Sequence, residues 1–110
     1  MCIFACKLQK VTMKILYPEK INDFIQIHPD SKPALERWST ILKAAKWRHL
    51  ADLKQDFPSA DYVGNNRYVF NIKGNRYRTV VMIVFFADTA AIRFVGTHKE
   101  YDRIKDIKTI

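Results

Sequence analysis

Three apolar segments of β type follow one another in the second half of the chain, and the short turns between them constrain the fold most. Residues 68–72 read as a strand, residues 73–75 as a hairpin turn, and residues 76–86 as a long return strand rich in valine and isoleucine. After a second turn at residues 87–90, residues 91–95 form the last strand. Because such short turns join antiparallel neighbours, this half of the chain is predicted to be an antiparallel meander.

Alternation with a period of two divides the side chains of the long strand between two faces. Arg76 and Arg78 share one face, and Tyr77 and Thr79 lie on the other. The alternation does not decide which face the helices cover. Because a sheet this small has helices on one face, an arginine-bearing end of the opposite face could form a shallow floor for a nucleic-acid backbone.

The first half of the chain predicts one short strand and two helices. Residues 13–17 are strand-like, and apolar residues at helical spacing predict a helix over residues 18–28. Ser31 is predicted to cap a second helix. The buried stripe of this helix consists of Leu35, Trp38, Leu42 and Ala45. A short helical piece at residues 47–54 and a loop at residues 56–61 follow. The predicted fold is therefore α+β, with an N-terminal strand and two helices packed on an antiparallel β-meander.

Length and charge limit the organisation of the chain and the class of its partners. A chain of 110 residues with 48% hydrophobic content builds one domain with one core, here residues 13–110, preceded by a leader at residues 1–12. The net charge of +8 favours a polyanionic partner such as RNA, DNA or an acidic protein segment. Charge alone does not choose among these partners.

The two cysteines, Cys2 and Cys6, both lie in the leader. One such pair provides neither a disulfide framework nor a four-ligand zinc site. The apolar residues around them are too few for the core of a signal peptide or for a membrane span. These features predict a reduced cytoplasmic protein without a metal, a cofactor or a membrane attachment.

Residues 96–102 (Gly-Thr-His-Lys-Glu-Tyr-Asp) place four titratable side chains and a phenol directly after the last strand. Histidine exchanges a proton near neutral pH, and Tyr101 lies on the same side as His98 if the segment is helical. The two are a candidate base and acid pair, in either order. Arg78 and Arg93 are charges within apolar strands and are candidate phosphate clamps. Alternatively, the arginines are solvated or paired with carboxylates, His98 caps a turn, and Tyr101 packs against the sheet.

This set of residues suits the cleavage of RNA through its own 2′-hydroxyl. That reaction needs a base for the hydroxyl proton, cations for the crowded phosphorane, and an acid for the departing 5′ oxygen. Only Glu100 and Asp102 supply carboxylates in the motif, whereas a two-metal nuclease uses a cluster of them. The residues therefore favour a route without a metal ion.

Two segments carry a resemblance to a known family: residues 68–78 (Tyr-Val-Phe-Asn-Ile-Lys-Gly-Asn-Arg-Tyr-Arg) and residues 92–102 (Ile-Arg-Phe-Val-Gly-Thr-His-Lys-Glu-Tyr-Asp). Together with Trp47 and residues 57–61, they resemble the HigB toxin family, within the RelE-like ribonucleases of toxin and antitoxin pairs. The resemblance covers residues 13–110. It implies a RelE-like domain that cleaves messenger RNA on the translating ribosome and is silenced by a HigA-like antitoxin with a helix-turn-helix domain.

The resemblance also assigns expected roles. In RelE-like toxins, arginines on the middle and last strands act with acid-base residues near the C-terminus, and by position these match Arg78, Arg93, His98 and Tyr101. Asp102 matches the family motif as well, and we expect it to orient a catalytic neighbour. Further RNA contacts are expected from Arg67, Asn71, Arg76, Lys99 and Lys54.

Two other classes of function fit the same residues. A non-catalytic RNA-binding or ribosome-binding module needs only the charge and exposed aromatic side chains. In that case His98→Ala and Tyr101→Phe leave function intact, while Arg78→Ala weakens binding. A protein-interaction subunit that meets an acidic partner predicts salt-sensitive complex formation without dependence on RNA.

Overall fold

The computed structural model describes residues 13–74 and 76–110. The leader with its two cysteines, and Asn75 of the hairpin turn, lie outside the described residues. The helices are α1 (Glu19–Ile27), α2 (Lys32–Lys43), α3 (Leu50–Asp56) and α4 (His98–Asp102), and 3₁₀ turns cover Pro29–Ser31 and Phe85–Ala87. The strands are β1 (Lys14–Leu16), β2 (Asp61–Gly64), β3 (Arg67–Ile72), β4 (Tyr77–Val84) and β5 (Thr89–Thr97).

The five strands form one mixed sheet in the order β1-β5-β4-β3-β2. Strand β1 runs parallel to β5, and the other neighbouring strands are antiparallel. The predicted α+β class is confirmed, because an N-terminal strand and helices accompany an antiparallel meander. The parallel pairing places β1 at the sheet edge beside β5, the strand that leads into α4.

Strand β2 has no counterpart in the sequence prediction, which places only a loop before the meander. Asn65 and Asn66 both have positive φ, at 50° and 64°, in the turn between β2 and β3. A two-residue turn with positive φ at both positions suits the twist of antiparallel strands. The turn and the pairing with β3 therefore stabilise this short strand. Its sequence shows no alternation of apolar and polar residues that would predict it.

Helices α1 and α2 pack against one face of the sheet. Phe24 of α1 and Leu35 of α2 share a core cluster with Tyr77, Val81 and Ile83 of β4. The helices therefore cover the tyrosine face of β4, and Arg78 belongs to the opposite face. All four residues of the predicted stripe are buried; Leu35, Trp38 and Leu42 lie on α2 as predicted, whereas Ala45 lies beyond the end of the helix at Lys43.

Ser31 directly precedes α2, as predicted, but its side chain does not cap the helix. Its hydroxyl donates instead to the His28 carbonyl at 2.6 Å. The 3₁₀ turn Pro29–Ser31 brings that carbonyl within reach, so the hydroxyl is used inside the turn. The prediction of a side-chain cap by Ser31 is wrong for this reason.

The opposite face of the sheet is partly covered by the chain that follows α4. Arg67 of β3 and Arg93 of β5 both donate to the backbone oxygen of Ile110, at 2.7 and 3.0 Å. Because β4 lies between these two strands, the chain end crosses over β4. Val80 is fully buried on that strand, although it faces away from the helices.

Candidate active site at the start of α4

The candidate site is built where β5 ends and α4 begins. Thr97 and Glu100 form a capping box, in which the Glu100 amide donates to Thr97 Oγ1 at 3.1 Å and the Thr97 amide donates to Glu100 Oε1 at 2.8 Å. These bonds satisfy amides that a helix start leaves without partners, so α4 begins at His98. The His98 amide also donates to the Arg76 carbonyl at 3.3 Å, which ties α4 to the hairpin before β4.

Gly96 allows α4 to lie close to the sheet. A Cβ atom at this position would collide with the Phe94 ring and would lie 2.9 Å from Glu100 Oε1. Gly96 also pairs with Arg78 across β5 and β4. The missing side chain therefore leaves room for the Phe94 ring and for the Glu100 carboxylate of the capping box.

Arg78, His98 and Asp102 form a chain of hydrogen bonds. Arg78 Nη2 lies 3.0 Å from His98 Nε2, and His98 Nδ1 lies 3.1 Å from Asp102 Oδ2. The second contact follows from the spacing of four residues on α4. The first follows from the strand register, which places Arg78 beside the end of β5.

The direction of these bonds determines which imidazole nitrogen carries the hydrogen. A guanidinium has only donors, so we assign Nε2 of His98 as the acceptor from Arg78. Nδ1 then carries the hydrogen and donates to the Asp102 carboxylate. This arrangement belongs to neutral imidazole, and the His98 side chain is 46% exposed to incoming ligands.

Tyr101 flanks the guanidinium of Arg78. Arg78 Cζ lies 4.8 Å from the centroid of the Tyr101 ring, within the range of a cation–π interaction. The Phe94 and Tyr101 ring centroids are 6.4 Å apart. Nε of Arg78 is buried and has no hydrogen-bond partner among the described residues, so one donor of the guanidinium is unsatisfied.

Asn71 lies directly opposite Arg78 in the β3–β4 pair, so the two side chains share a face. Two other candidate RNA contacts are more open. Lys99 is exposed on α4 next to His98. The Arg76 side chain is 67% exposed, and its Nη1 lies 3.7 Å from Asp30 Oδ2. The strand register thus places Asn71 on the face of Arg78, whereas the Arg76 side chain approaches Asp30.

Arg93 and Arg67 are directed elsewhere. Arg93 is the extra residue of a bulge in β5, because its two neighbours in the strand pair with consecutive residues of β4. Its guanidinium lies 5.9 Å from the centroid of the Tyr17 ring, and its Nε is bonded to Ile110. Arg67 reaches the same Ile110 oxygen. Neither arginine hydrogen-bonds to His98 among the described contacts.

Lys54 holds the loop between α3 and β2. Its Nζ donates to the carbonyls of Pro58 and Ala60, at 3.0 and 2.8 Å. Two of the three donors of the Lys54 ammonium are used in this way, so only one remains for an RNA phosphate.

Asp30 fixes the hairpin that carries Arg78, although the sequence analysis did not identify it. The Tyr77 hydroxyl lies 2.9 and 2.8 Å from the two Asp30 carboxylate oxygens, and Lys73 Nζ lies 2.9 Å from Oδ2. The hydrogen bond from Lys73, followed by that from Tyr77, lowers the pKa of Asp30. Burial, followed by the bond to Asp30, raises the pKa of Tyr77. Tyr77 precedes Arg78 in β4, so the cluster restrains the backbone at the site.

Only part of this supporting structure has a signal in the sequence. Thr97 and Glu100 carry the spacing of a capping box, which predicts a helix start. Asp30 has no such signal, because Lys73 and Tyr77 are 43 and 47 residues away.

Within residues 13–74 and 76–110, no three histidine, cysteine or acidic side chains gather as a possible metal-binding group. In the same part of the chain, no helix combines the length and the apolar character needed to cross a bilayer.

Comparisons with known proteins agree on one family. Residues 31–104 match the family model of HigB toxin, described as the RelE-like toxic component of a toxin-antitoxin system. The chain is 33% identical over 93 residues to the mRNA interferase toxin HigB of Escherichia coli K12, a match that covers 82% of this chain and 88% of the relative. The mRNA interferases HigB of Escherichia coli O157:H7 and Shigella flexneri match with the same identity and coverage.

Proposed function

This chain belongs to the HigB family of RelE-like toxins, and from that membership we propose that it is an endoribonuclease that cuts messenger RNA on translating ribosomes and so inhibits translation. The partners in this proposal are the ribosome-bound message and a HigA-like antitoxin with a helix-turn-helix domain. The place of action is the cytoplasm, where ribosomes translate. The reaction uses the 2′-hydroxyl of the RNA and needs no metal ion.

The chain of bonds from Arg78 through His98 to Asp102 is the observation that carries the proposal. A base must present a lone pair, and Nε2 of neutral His98 has one, occupied only by a donor from Arg78. A phosphate is a stronger acceptor for a guanidinium than an imidazole nitrogen is, because the bond is charge-assisted on both sides. RNA binding would therefore draw Arg78 toward the phosphate and open the lone pair of His98.

In the proposed reaction, His98 Nε2 takes the 2′-hydroxyl proton as the 2′ oxygen attacks the adjacent phosphorus. Arg78 stabilises the charge that develops on the non-bridging oxygens. The bond to the 5′ oxygen breaks, and the Tyr101 hydroxyl supplies the proton to that leaving group. The products are a 2′,3′-cyclic phosphate and a 5′-hydroxyl. Asp102 holds His98 in the required tautomer and stabilises the imidazolium that forms.

The remaining residues are assigned to RNA contacts around this centre. Asn71 shares a face with Arg78, and Lys99 is exposed directly after His98 in the chain; both would contact the adjacent nucleotides. Arg93 would clamp a phosphate, and Arg67 would bind the backbone, after each exchanges the Ile110 oxygen for a phosphate oxygen.

Mapping of RNA ends on programmed, translating ribosomes tests the proposal. Wild type should give cuts in phase with the reading frame, with a 2′,3′-cyclic phosphate upstream and a 5′-hydroxyl downstream. A metal-dependent hydrolysis would instead leave no cyclic phosphate. A message with a single 2′-deoxynucleotide at the main cut position should resist cleavage at that position only.

Matched variants locate the site in the same assay. His98→Ala and Arg78→Ala should abolish the cuts, whereas Arg37→Ala, at an exposed arginine of α2, should cut like wild type. Absence of cuts with wild type, despite demonstrated ribosome binding, would favour the non-catalytic binding module. Cuts that survive in His98→Ala would remove the proposed base.

A further inference from the structure

The turn between β4 and β5 presents an exposed phenylalanine beside two cations. Phe86 is 94% exposed. A cavity of about 490 Å³ is lined by Phe86, Phe85, Lys46, Arg48 and Asp88. We call these five residues the Phe86 surface. Leaving a large apolar side chain in water forgoes the favourable free energy of its burial. Phe86 lies beside a second aromatic ring and charged side chains, and this combination is typical of an interaction site.

The turn that carries Phe86 is held in place from several sides. The ring of Phe85 packs edge-on against Tyr68, with centroids 5.6 Å apart. The Asp88 amide donates to the Phe85 carbonyl at 3.1 Å, and the Lys14 amide donates to the Asp88 carbonyl at 2.7 Å. Because the turn is fixed in this way, Phe86 is presented without a large entropic cost of ordering on binding.

The charges around Phe86 distinguish between classes of ligand. Lys46 and Arg48 are exposed, and Asp88 is half-buried in the same lining. A groove that follows a nucleic-acid backbone is lined by positive charge, and Asp88 would repel phosphates there. An apolar centre surrounded by charged side chains of both signs, with one more positive than negative charge, is typical of a protein–protein interface.

The Phe86 surface is also remote from the candidate active site. Arg78 lies near the start of β4, and the strand ends at Val84, six residues later. At about 3.3 Å per residue these positions are about 20 Å apart along the strand. The chemistry at His98 therefore does not account for the exposure of Phe86.

We propose that the Phe86 surface is the docking site for the antitoxin. The partner segment places an apolar side chain against Phe86 and acidic groups beside Lys46 and Arg48. The assignment rests on family membership, which implies an antitoxin, and not on the cleavage mechanism proposed above. A binding experiment therefore tests it even if the chain cuts no RNA.

The test uses the full chain with His98→Ala, which removes the proposed base and so permits expression, and the cognate antitoxin of this toxin family member. Titration calorimetry should show that Phe86→Ser weakens binding about 30-fold, the effect of losing one interface hot spot. Reversal of both cations, with Lys46→Glu and Arg48→Glu together, should slow association about tenfold and reduce its salt dependence. Circular dichroism should be unchanged, because all three side chains are exposed.

Controls of the same chemistry lie elsewhere on the surface. Ile27→Ser removes another large apolar side chain, 73% exposed, and Lys32→Glu with Arg37→Glu reverses two exposed cations of α2. Both controls should bind the antitoxin like the parent chain. An affinity of Phe86→Ser within twofold of the parent would overturn the proposal. If that variant instead lost binding to 70S ribosomes alone, the surface would be a nucleic-acid contact and the proposal would also fail.

Discussion

Replacing Asp102 with alanine separates the orientation of His98 from its chemistry. The change removes the 3.1 Å contact between His98 Nδ1 and Asp102 Oδ2, so the imidazole loses one of the two contacts that fix its tautomer and keeps only the one with Arg78. A hydrogen bond to a charged group contributes about 1.5–3 kcal/mol in general, whereas an exposed ion pair contributes about 0.2–1 kcal/mol. The lower range applies here, because the Asp102 and His98 side chains are 59% and 46% exposed.

These magnitudes predict a modest effect on the reaction. At about 1.4 kcal/mol per factor of ten, a loss of about 0.2–1 kcal/mol slows cleavage about 1.4- to 5-fold. A buried carboxylate that holds a histidine in a serine protease is worth about 10⁴-fold, and exposure to water accounts for the difference. Asp102→Asn keeps an acceptor oxygen without the charge and should fall between wild type and alanine.

The assay is single-turnover cleavage on programmed ribosomes at saturating protein. Asp61→Asn, at an exposed carboxylate on β2, is the control and should cleave at the wild-type rate. Nitrogen-15 spectra of the histidine rings should show the hydrogen on Nδ1 of His98 in wild type and a larger share of the Nε2 tautomer in Asp102→Ala, in which only the Arg78 contact opposes that tautomer. A loss of more than about 100-fold would contradict the positioning role, because orientation by an exposed bond cannot supply that much. No loss in either variant would show that the bond has no part in the reaction.

Three other predictions concern the site, the hairpin and the core. Arg78→Lys should slow cleavage about 100-fold in the same assay, because an ammonium lacks the planar donors that match phosphate, while Arg76→Lys should not; equal losses would refute a specific role for Arg78. The pKa of Asp30 is lowered in the folded state, so its carboxylate should stabilise the protein above about pH 4. This stabilisation should be lost as the pH falls through the lowered pKa. The urea midpoints of wild type and Asp30→Asn should therefore converge in acid. A constant difference between the two midpoints would contradict this linkage. Replacing Phe70, which is 1% exposed, with alanine should lower the free energy of unfolding by about 3–5 kcal/mol. A loss below about 1 kcal/mol would show that the core repacks around the smaller side chain.

The features that were predictable from the sequence depend on residues close together in the chain. The α2 stripe follows from helical periodicity, and the hairpin between β3 and β4 follows from its turn, where Lys73 and Gly74 both have positive φ. The placement of His98 and Tyr101 on one side of a helical turn is likewise local, since the start of α4 is stabilised by its own capping box. Each of these features is decided within a few residues, so its pattern is present in the sequence.

The features that were missed depend on tertiary contacts. The bulge in β5 re-aims Arg93, and its bond to Ile110 joins residues 17 positions apart. The contact of Asp30 with Tyr77 depends on how α1 and α2 pack on the sheet. Ser31 satisfied the sequence rule for a cap, yet its hydroxyl found a nearer acceptor within the 3₁₀ turn. Propensity and periodicity contain no information on these distances.

The tertiary contacts that the sequence did not predict also determine how strongly salt should weaken RNA binding. Six cations were expected to contact RNA, but Arg67, Arg93 and Lys54 are bonded to backbone oxygens of the protein itself. For single strands the logarithm of affinity falls with the logarithm of salt at a slope of about −0.7 per neutralised phosphate, so six contacts give about −4 and the other three give about −2. We expect a slope near −2 for the His98→Ala chain with a short single-stranded RNA, because free RNA, unlike the message held on the ribosome, does not displace the Ile110 oxygen that Arg67 and Arg93 share. The measurement is fluorescence anisotropy at several salt concentrations. A slope near −4 would refute this count and would show that free RNA also engages Arg67, Arg93 and Lys54.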